Sequence, residues 1–286
     1  MDAEMVLAEA ANAYQTALGA RLVAAYALGS LAHGGFSPLV SDIDLGLIVR
    51  DPLRSGDAEA IQVVAATEKA KGHALHELLS VFWGTPSTLR GERDGGRFPA
   101  LDRLDLLENG RLLIGIDARR GLSRPSAGEL IIEGAEFALD HLAGWRDPRD
   151  QPAAGLGSLL PAGETAVEEI RNPEVLLARG VRRLTKLVLF PVRFLFTAAT
   201  GLVGTNDAAV ARYLADGSGP SATLVAAAFD WRTAPPKDYE AAAQLLRKGM
   251  VPLYLHYIDD HITRLHSLGR DDLARAFDDW RERLVH

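Results

Sequence analysis

Ala27-Leu-Gly-Ser-Leu-Ala-His-Gly-Gly-Phe-Ser-Pro-Leu-Val-Ser-Asp-Ile-Asp-Leu-Gly-Leu-Ile-Val49 carries the strongest structural signal in this chain. A short apolar run reads as a strand over 22–28 and ends in Gly29-Ser30. Glycine admits a ligand close to the backbone, and a helical turn is expected from Ser30. Exposed N–H groups at such a turn, with the serine hydroxyl, suit a phosphate. Asp42 and Asp44 follow, Asp44 heading the next apolar run, 43–49. Side chains at i and i+2 of a strand share a face, so the two carboxylates point the same way. Ile43, Leu45, Leu47 and Val49 take the other face into a core, which fixes the register. Paired carboxylates repel unless a hard cation sits between them, and Mg²⁺ with triphosphate oxygens fits that role. A phosphate cradle beside a rigid carboxylate pair is what metal-assisted phosphoryl or nucleotidyl transfer requires. Each piece alone reads as a turn or a solvated strand entrance. Their occurrence together favours a site.

Working outward, alanines and leucines at helical spacing predict a helix over 1–20. A second helix is expected over 57–71, closed by Gly72, a strand over 76–83 and another over 111–116. Helices interleaved with short buried strands imply a mixed α/β sheet domain. The pattern then changes. Ser126 with Glu129 is a capping box opening a helix to about 142. The stretch 145–163 is rich in Pro, Gly and Asp and reads as a flap or a connector. Asn172-Pro173 opens one long helix to about 201, kinked at Pro191. Helices over 207–215, 239–268 and 271–284 complete the chain. The expected fold class is α+β: a mixed α/β sheet domain over 1–122, then an all-α helical-bundle domain over 123–286.

The chain has 286 residues, 48% of them hydrophobic and 24% charged, which is globular rather than disordered composition. At about 150 residues per domain, two domains are the prior. The net charge of −7 argues against whole-surface binding of nucleic acid. No cysteine is present, which excludes disulfides, thiolate metal sites and a cysteine nucleophile. The acidic first ten residues do not form a secretory signal, so the cytoplasm is the expected compartment. The apolar stretch 187–204 holds Pro191 and Arg193. An arginine inside a membrane costs roughly 2.5 kcal/mol or more, so a buried helix is expected there and no membrane partner.

The 27–49 stretch resembles the nucleotidyltransferase superfamily, whose polymerase-β-like fold carries a Gly-Ser turn and an Asp-x-Asp strand. It is most similar to the adenylyltransferases that act on streptomycin and spectinomycin. Arg193-Phe-Leu-Phe-Thr-Ala-Ala-Thr-Gly201 is similar to a helical-domain segment of that family, and Leu255-His-Tyr-Ile-Asp-Asp-His-Ile262 to a segment near its end. The resemblance implies that Gly29 and Ser30 hold a triphosphate and that Asp42 and Asp44 bind Mg²⁺. It also implies a carboxylate on a later strand, as third metal ligand or as base. Glu77 is the best match, with Asp102, Asp105, Glu133 and Glu136 in reserve. Arg193 would contact nucleotide phosphates, or instead pair with a buried carboxylate. Lys186, two helical turns earlier, would join it, with Arg182 and Arg183 as a basic patch or a solvated face.

The chain departs from the family in two places. Asn206 stands where the family has a phosphate-binding lysine. Arg179 and Arg183 stand where it has acids that read a cationic drug, and they would repel a polycation. No metal-ligand spacing links the histidines, and His33 in the turn is a bystander or a triphosphate contact. Trp83, Trp145 and Trp231 read as core residues rather than a platform for adenine. The resulting expectation is a Mg²⁺-dependent nucleotidyltransferase, of the antibiotic-resistance type in its chemistry. It would move AMP from ATP to a hydroxyl of a small-molecule acceptor. Alternatives are a toxin-like relative modifying protein or tRNA, and a regulatory module that binds nucleotide without turnover.

Overall fold

The computed structural model describes residues 2–144, 163–217 and 221–286. It divides into two compact units, Met1–Pro125 and Ser126–His286. In the first, helix α1 (Ala3–Leu18) begins where the Asp2 carboxylate accepts the Met5 N–H, an N-cap bond, and leads into strand β1 (Leu22–Leu28). Then come α2 (Gly29–His33), β2 (Ile43–Val49), α3 (Ser55–Lys69), α4 (Ala74–Glu77), β3 (Leu79–Gly84), α5 (Pro86–Leu89), α6 (Ala100–Glu108) and β4 (Arg111–Gly115). The sheet order is β3-β2-β1-β4. β1 runs antiparallel to β2 and β4, whereas β2 and β3 are parallel, joined by a crossover through α3 and α4.

The period-2 pattern of β2 divides the first unit into two layers. Ile43, Leu45, Leu47 and Val49 pack with Leu79 and Val81 of β3 against Val6, Leu7, Ala10 and Tyr14 of α1 and Ile61 of α3. On the other face Ala24, Tyr26, Leu28 and Ile48 pack with Leu89 and Leu106. Four fully buried aliphatics on one strand make the register costly to shift, since each large-to-small change there loses roughly 2–5 kcal/mol. Asp44 therefore lies on the second face, with Gly46 and Ile48.

The second unit is helical throughout its described residues. It holds α7 (Ala127–Ala138), continued by a π turn at Leu139–Ala143, α8 (Gly163–Arg171), α9 (Pro173–Ala178), α10 (Val181–Thr200), α11 (Asn206–Asp216), α12 (Ala222–Trp231), α13 (Tyr239–Ser267) and α14 (Asp271–Val285). The Ser126 hydroxyl accepts the Glu129 N–H at 3.1 Å, and Thr205 caps α11 in the same way. The core gathers Leu187, Val188, Leu224, Leu253, Tyr254, Tyr257, Phe277 and Trp280, all fully buried. No helix among the described residues is long and apolar enough to cross a membrane.

Two expectations need correction. The third strand begins at Leu79 rather than 76, because His73 Nδ1 accepts the Leu75 N–H and starts a helical turn that contains His76 and Glu77. The single helix expected from 173 is two, α9 and α10, parted at Gly180, whose φ of 86° a helix does not allow. Pro191 lies inside α10, which continues to Thr200. It has no N–H for the Leu187 carbonyl one turn back, and the buried Tyr254 hydroxyl donates to that oxygen at 2.9 Å instead. The loop expected over 145–163, with Trp145, lies outside the described residues except for Gly163, which opens α8. Helices α5, α6, α8 and α12 lie outside the elements that the sequence pattern predicts.

Candidate active site

Strand β1 delivers the chain to Gly29 directly beside the head of β2, because Leu28 pairs with Asp44 in the antiparallel register. Gly29 has a φ of 58°, and a Cβ built on it would collide with the Asp44 carboxylate. Both the backbone angle and the space therefore require glycine here. Ser30 follows in the first turn of α2. Asp42 and Asp44 are half-buried, flanking the fully buried Ile43, whose N–H donates to the Leu78 carbonyl at 2.9 Å. The Gly-Ser turn and the Asp44 carboxylate are thus brought together by strand pairing alone.

The Gly29 N–H is already engaged. It donates to Asp105 Oδ2 at 2.5 Å, and Asn109 Nδ2 donates to Asp105 Oδ1 at 2.9 Å. Asp105 is buried on α6, which also packs on β1. One of the reserve carboxylates is therefore a brace for the turn. No local pattern marks that role, since it depends on α6 crossing β1. The remaining cue is Asp105 lying between Leu104 and Leu106, which are also buried.

Glu77 is exposed at the end of α4, and the β3 residue in register with Asp44 is Ser80. Asp102 is half-buried in the first turn of α6. Among the described residues no group of three His, Cys, Asp or Glu side chains is arranged to hold a metal ion. Mg²⁺ commonly uses one or two carboxylates and takes its other ligands from water and substrate phosphates. Asp42 stands just before β2 and Asp44 at its start, both half-buried.

Arg193, Lys186, Glu133 and Glu136 belong to the second unit. Arg193 Nε donates to the Gly204 carbonyl at 2.6 Å, tying α10 to the loop before α11. Its neighbour Arg232 is buried, and burial pushes the guanidinium pKa down, with Arg193 adding repulsion and Asp207 opposing it. Lys186 is half-buried on α10. Glu136 is paired with Arg270 at 3.2 Å. Trp231 is buried, in line with a core role, whereas Trp83 packs only partly buried against the first core.

Arg179 and Arg183 require a further correction. Both converge on Glu169, which is fully buried on α8. Arg183 Nε donates to Glu169 Oε2 at 2.7 Å, with Nη2 also 2.7 Å from that oxygen but off the hydrogen-bonding line. Arg179 Nε donates to Oε1 at 3.0 Å. Arg183 is buried, so it belongs neither to a basic patch nor to a solvated face, and its charge is partly cancelled. Arg183 is thus no part of an exposed positive surface, whereas Arg179 remains half-exposed.

No protein-family model matches the chain, and no curated protein matches it. Among solved structures, it is similar to a spectinomycin adenyltransferase from Enterococcus faecialis, solved with ATP and spectinomycin. The likeness covers 84% of this chain and 99% of that one, at 13% identity and a TM-score of 0.48.

Proposed function

We propose that the chain is a Mg²⁺-dependent nucleotidyltransferase that moves AMP from ATP to a hydroxyl group of a small-molecule acceptor. The observation that carries this reading is the junction of β1, α2 and β2. A glycine with no room for a side chain abuts a carboxylate at the head of a strand, with Asp42 two positions before it. Asp42 and Asp44 would hold the Mg²⁺ that accompanies the nucleotide; when bound, it neutralises phosphate charge and favours departure of pyrophosphate. The backbone amides and hydroxyl at Ser30 orient the phosphates, and Asp105 keeps Gly29 against Asp44. Glu77 remains the proposed base for the acceptor hydroxyl, reached by movement of its exposed side chain. In-line attack on the α-phosphorus then forms the new P–O bond as the bond to pyrophosphate breaks.

A second reading has its own support. Ser80, not a carboxylate, stands beside Asp44, and Asp105 is committed to Gly29. A site with two acids suits nucleotide binding without transfer. Incubation with Mg²⁺, α-labelled ATP and a panel of hydroxylated acceptors tests both. Label on an acceptor, with pyrophosphate release abolished in Asp44→Asn, supports transfer. Tight Mg²⁺-dependent ATP binding with no labelled product supports the binding module. Equal pyrophosphate release by Asp44→Asn and wild type overturns the assignment.

A further inference from the structure

The helical unit contains a cavity of about 320 Å³, at the lower end of the range for small-molecule sites. Three helices each give it one face. α10 supplies an apolar floor through Val192, Phe196 and Ala199, spaced by four and three residues. Tyr213 of α11 and His256 of α13 form an aromatic flank, their ring centroids 6.0 Å apart and tilted by 40°. Beside this flank the Ser221 hydroxyl donates to the Gly249 carbonyl at 2.5 Å inside the core.

The charged groups at the cavity cancel one another. Arg264 places Nε and Nη2 on the two Asp260 oxygens at 2.8 and 3.0 Å and Nη1 on the Ala198 carbonyl at 3.0 Å. Arg212 and Asp216 pair at the rim at 3.3 Å. An ionic ligand would have to break a pair it meets. A flat, uncharged ring gains the apolar floor and the aromatic flank without that cost.

We propose that this cavity binds a compact, uncharged aromatic molecule of one or two fused rings, independently of the nucleotide chemistry proposed for the first unit. 1-Aminonaphthalene, a dye of two fused rings that is uncharged at neutral pH and whose fluorescence responds to apolar surroundings, is the probe. Titration of the full chain is expected to show one saturable site. Ala199→Trp, which adds an indole at an exposed position of the cavity lining, is expected to weaken binding at least about tenfold by steric filling. Tyr213→Ala, which removes one ring of the flank, is expected to weaken it by about threefold to tenfold. Thermal unfolding of each variant checks that the fold is kept. Absence of saturable binding, a stoichiometry above one, or unchanged affinity in both folded variants would overturn the proposal.

Discussion

Replacing Glu169 by Gln keeps the side-chain shape and removes one buried negative charge. Glu169 is fully buried and holds Arg183, which is 8% exposed, and Arg179, which is 48% exposed. The Arg179 pair faces water and contributes little. The Arg183 pair decides the magnitude. Without its carboxylate the guanidinium stays inside the helical unit, where Nη1 already has no acceptor among the described residues. Breaking a buried pair from one side costs roughly 3–5 kcal/mol. At roughly 2–4 °C per kcal/mol for a unit of this size, Tm should fall by roughly 6–20 °C. The assay is calorimetric or circular-dichroism melting of wild type, Glu169→Gln and the double variant Glu169→Gln/Arg183→Met. The double variant removes the stranded charge and should recover much of the loss. A Glu169→Gln melting within 1 °C of wild type would refute the reasoning, as would a double variant no more stable than the single.

Gly29→Ala adds a side chain at a φ of 58° and against the Asp44 carboxylate. It should cost about 2 kcal/mol or more in denaturant unfolding, the αL strain alone being about 1–2 kcal/mol, and abolish nucleotide-dependent stabilisation. Tyr254→Phe leaves the buried Leu187 carbonyl without its donor and should lower stability by roughly 1–3 kcal/mol, read from urea titration. Asp260 is held at about 2, below its ordinary 3.8; burial opposes this, but bonds from His261 and Arg264 prevail. A depressed folded pKa gives stability that is present above pH 4 and lost as pH falls toward 2. Unfolding measured from pH 5 to 2 should therefore show a shallower acid loss in Arg264→Met than in wild type.

The strands of the first unit and the Gly29-Ser30, Asp42, Asp44 constellation are legible in sequence because their information is local. Period-2 alternation sets the faces, and a short connection brings Gly29 to Asp44. What was not legible depends on partners far along the chain. Asp105 acts on Gly29 from 76 positions away, through the packing of α6. The charges of Arg179 and Arg183 read as a positive face because Glu169, ten and fourteen positions earlier, gives no sign of being buried between them. Glu77 looked like a strand entrance because apolar runs do not mark where a preceding turn ends. The His73 cap moves the strand start to Leu79 and puts Ser80 beside Asp44. Pro191 signalled a kink, and only the buried Tyr254 hydroxyl explains how the helix passes through it.

The most direct test of the central claim is calorimetric titration of ATP into wild type and Asp44→Asn, each with Mg²⁺ and with EDTA. The Gly29–Asp44 junction predicts binding that requires Mg²⁺ and is at least about tenfold weaker in Asp44→Asn, with both proteins melting at similar temperature in the absence of nucleotide. Equal ATP affinity in all four titrations, or no binding by wild type with Mg²⁺, would contradict it.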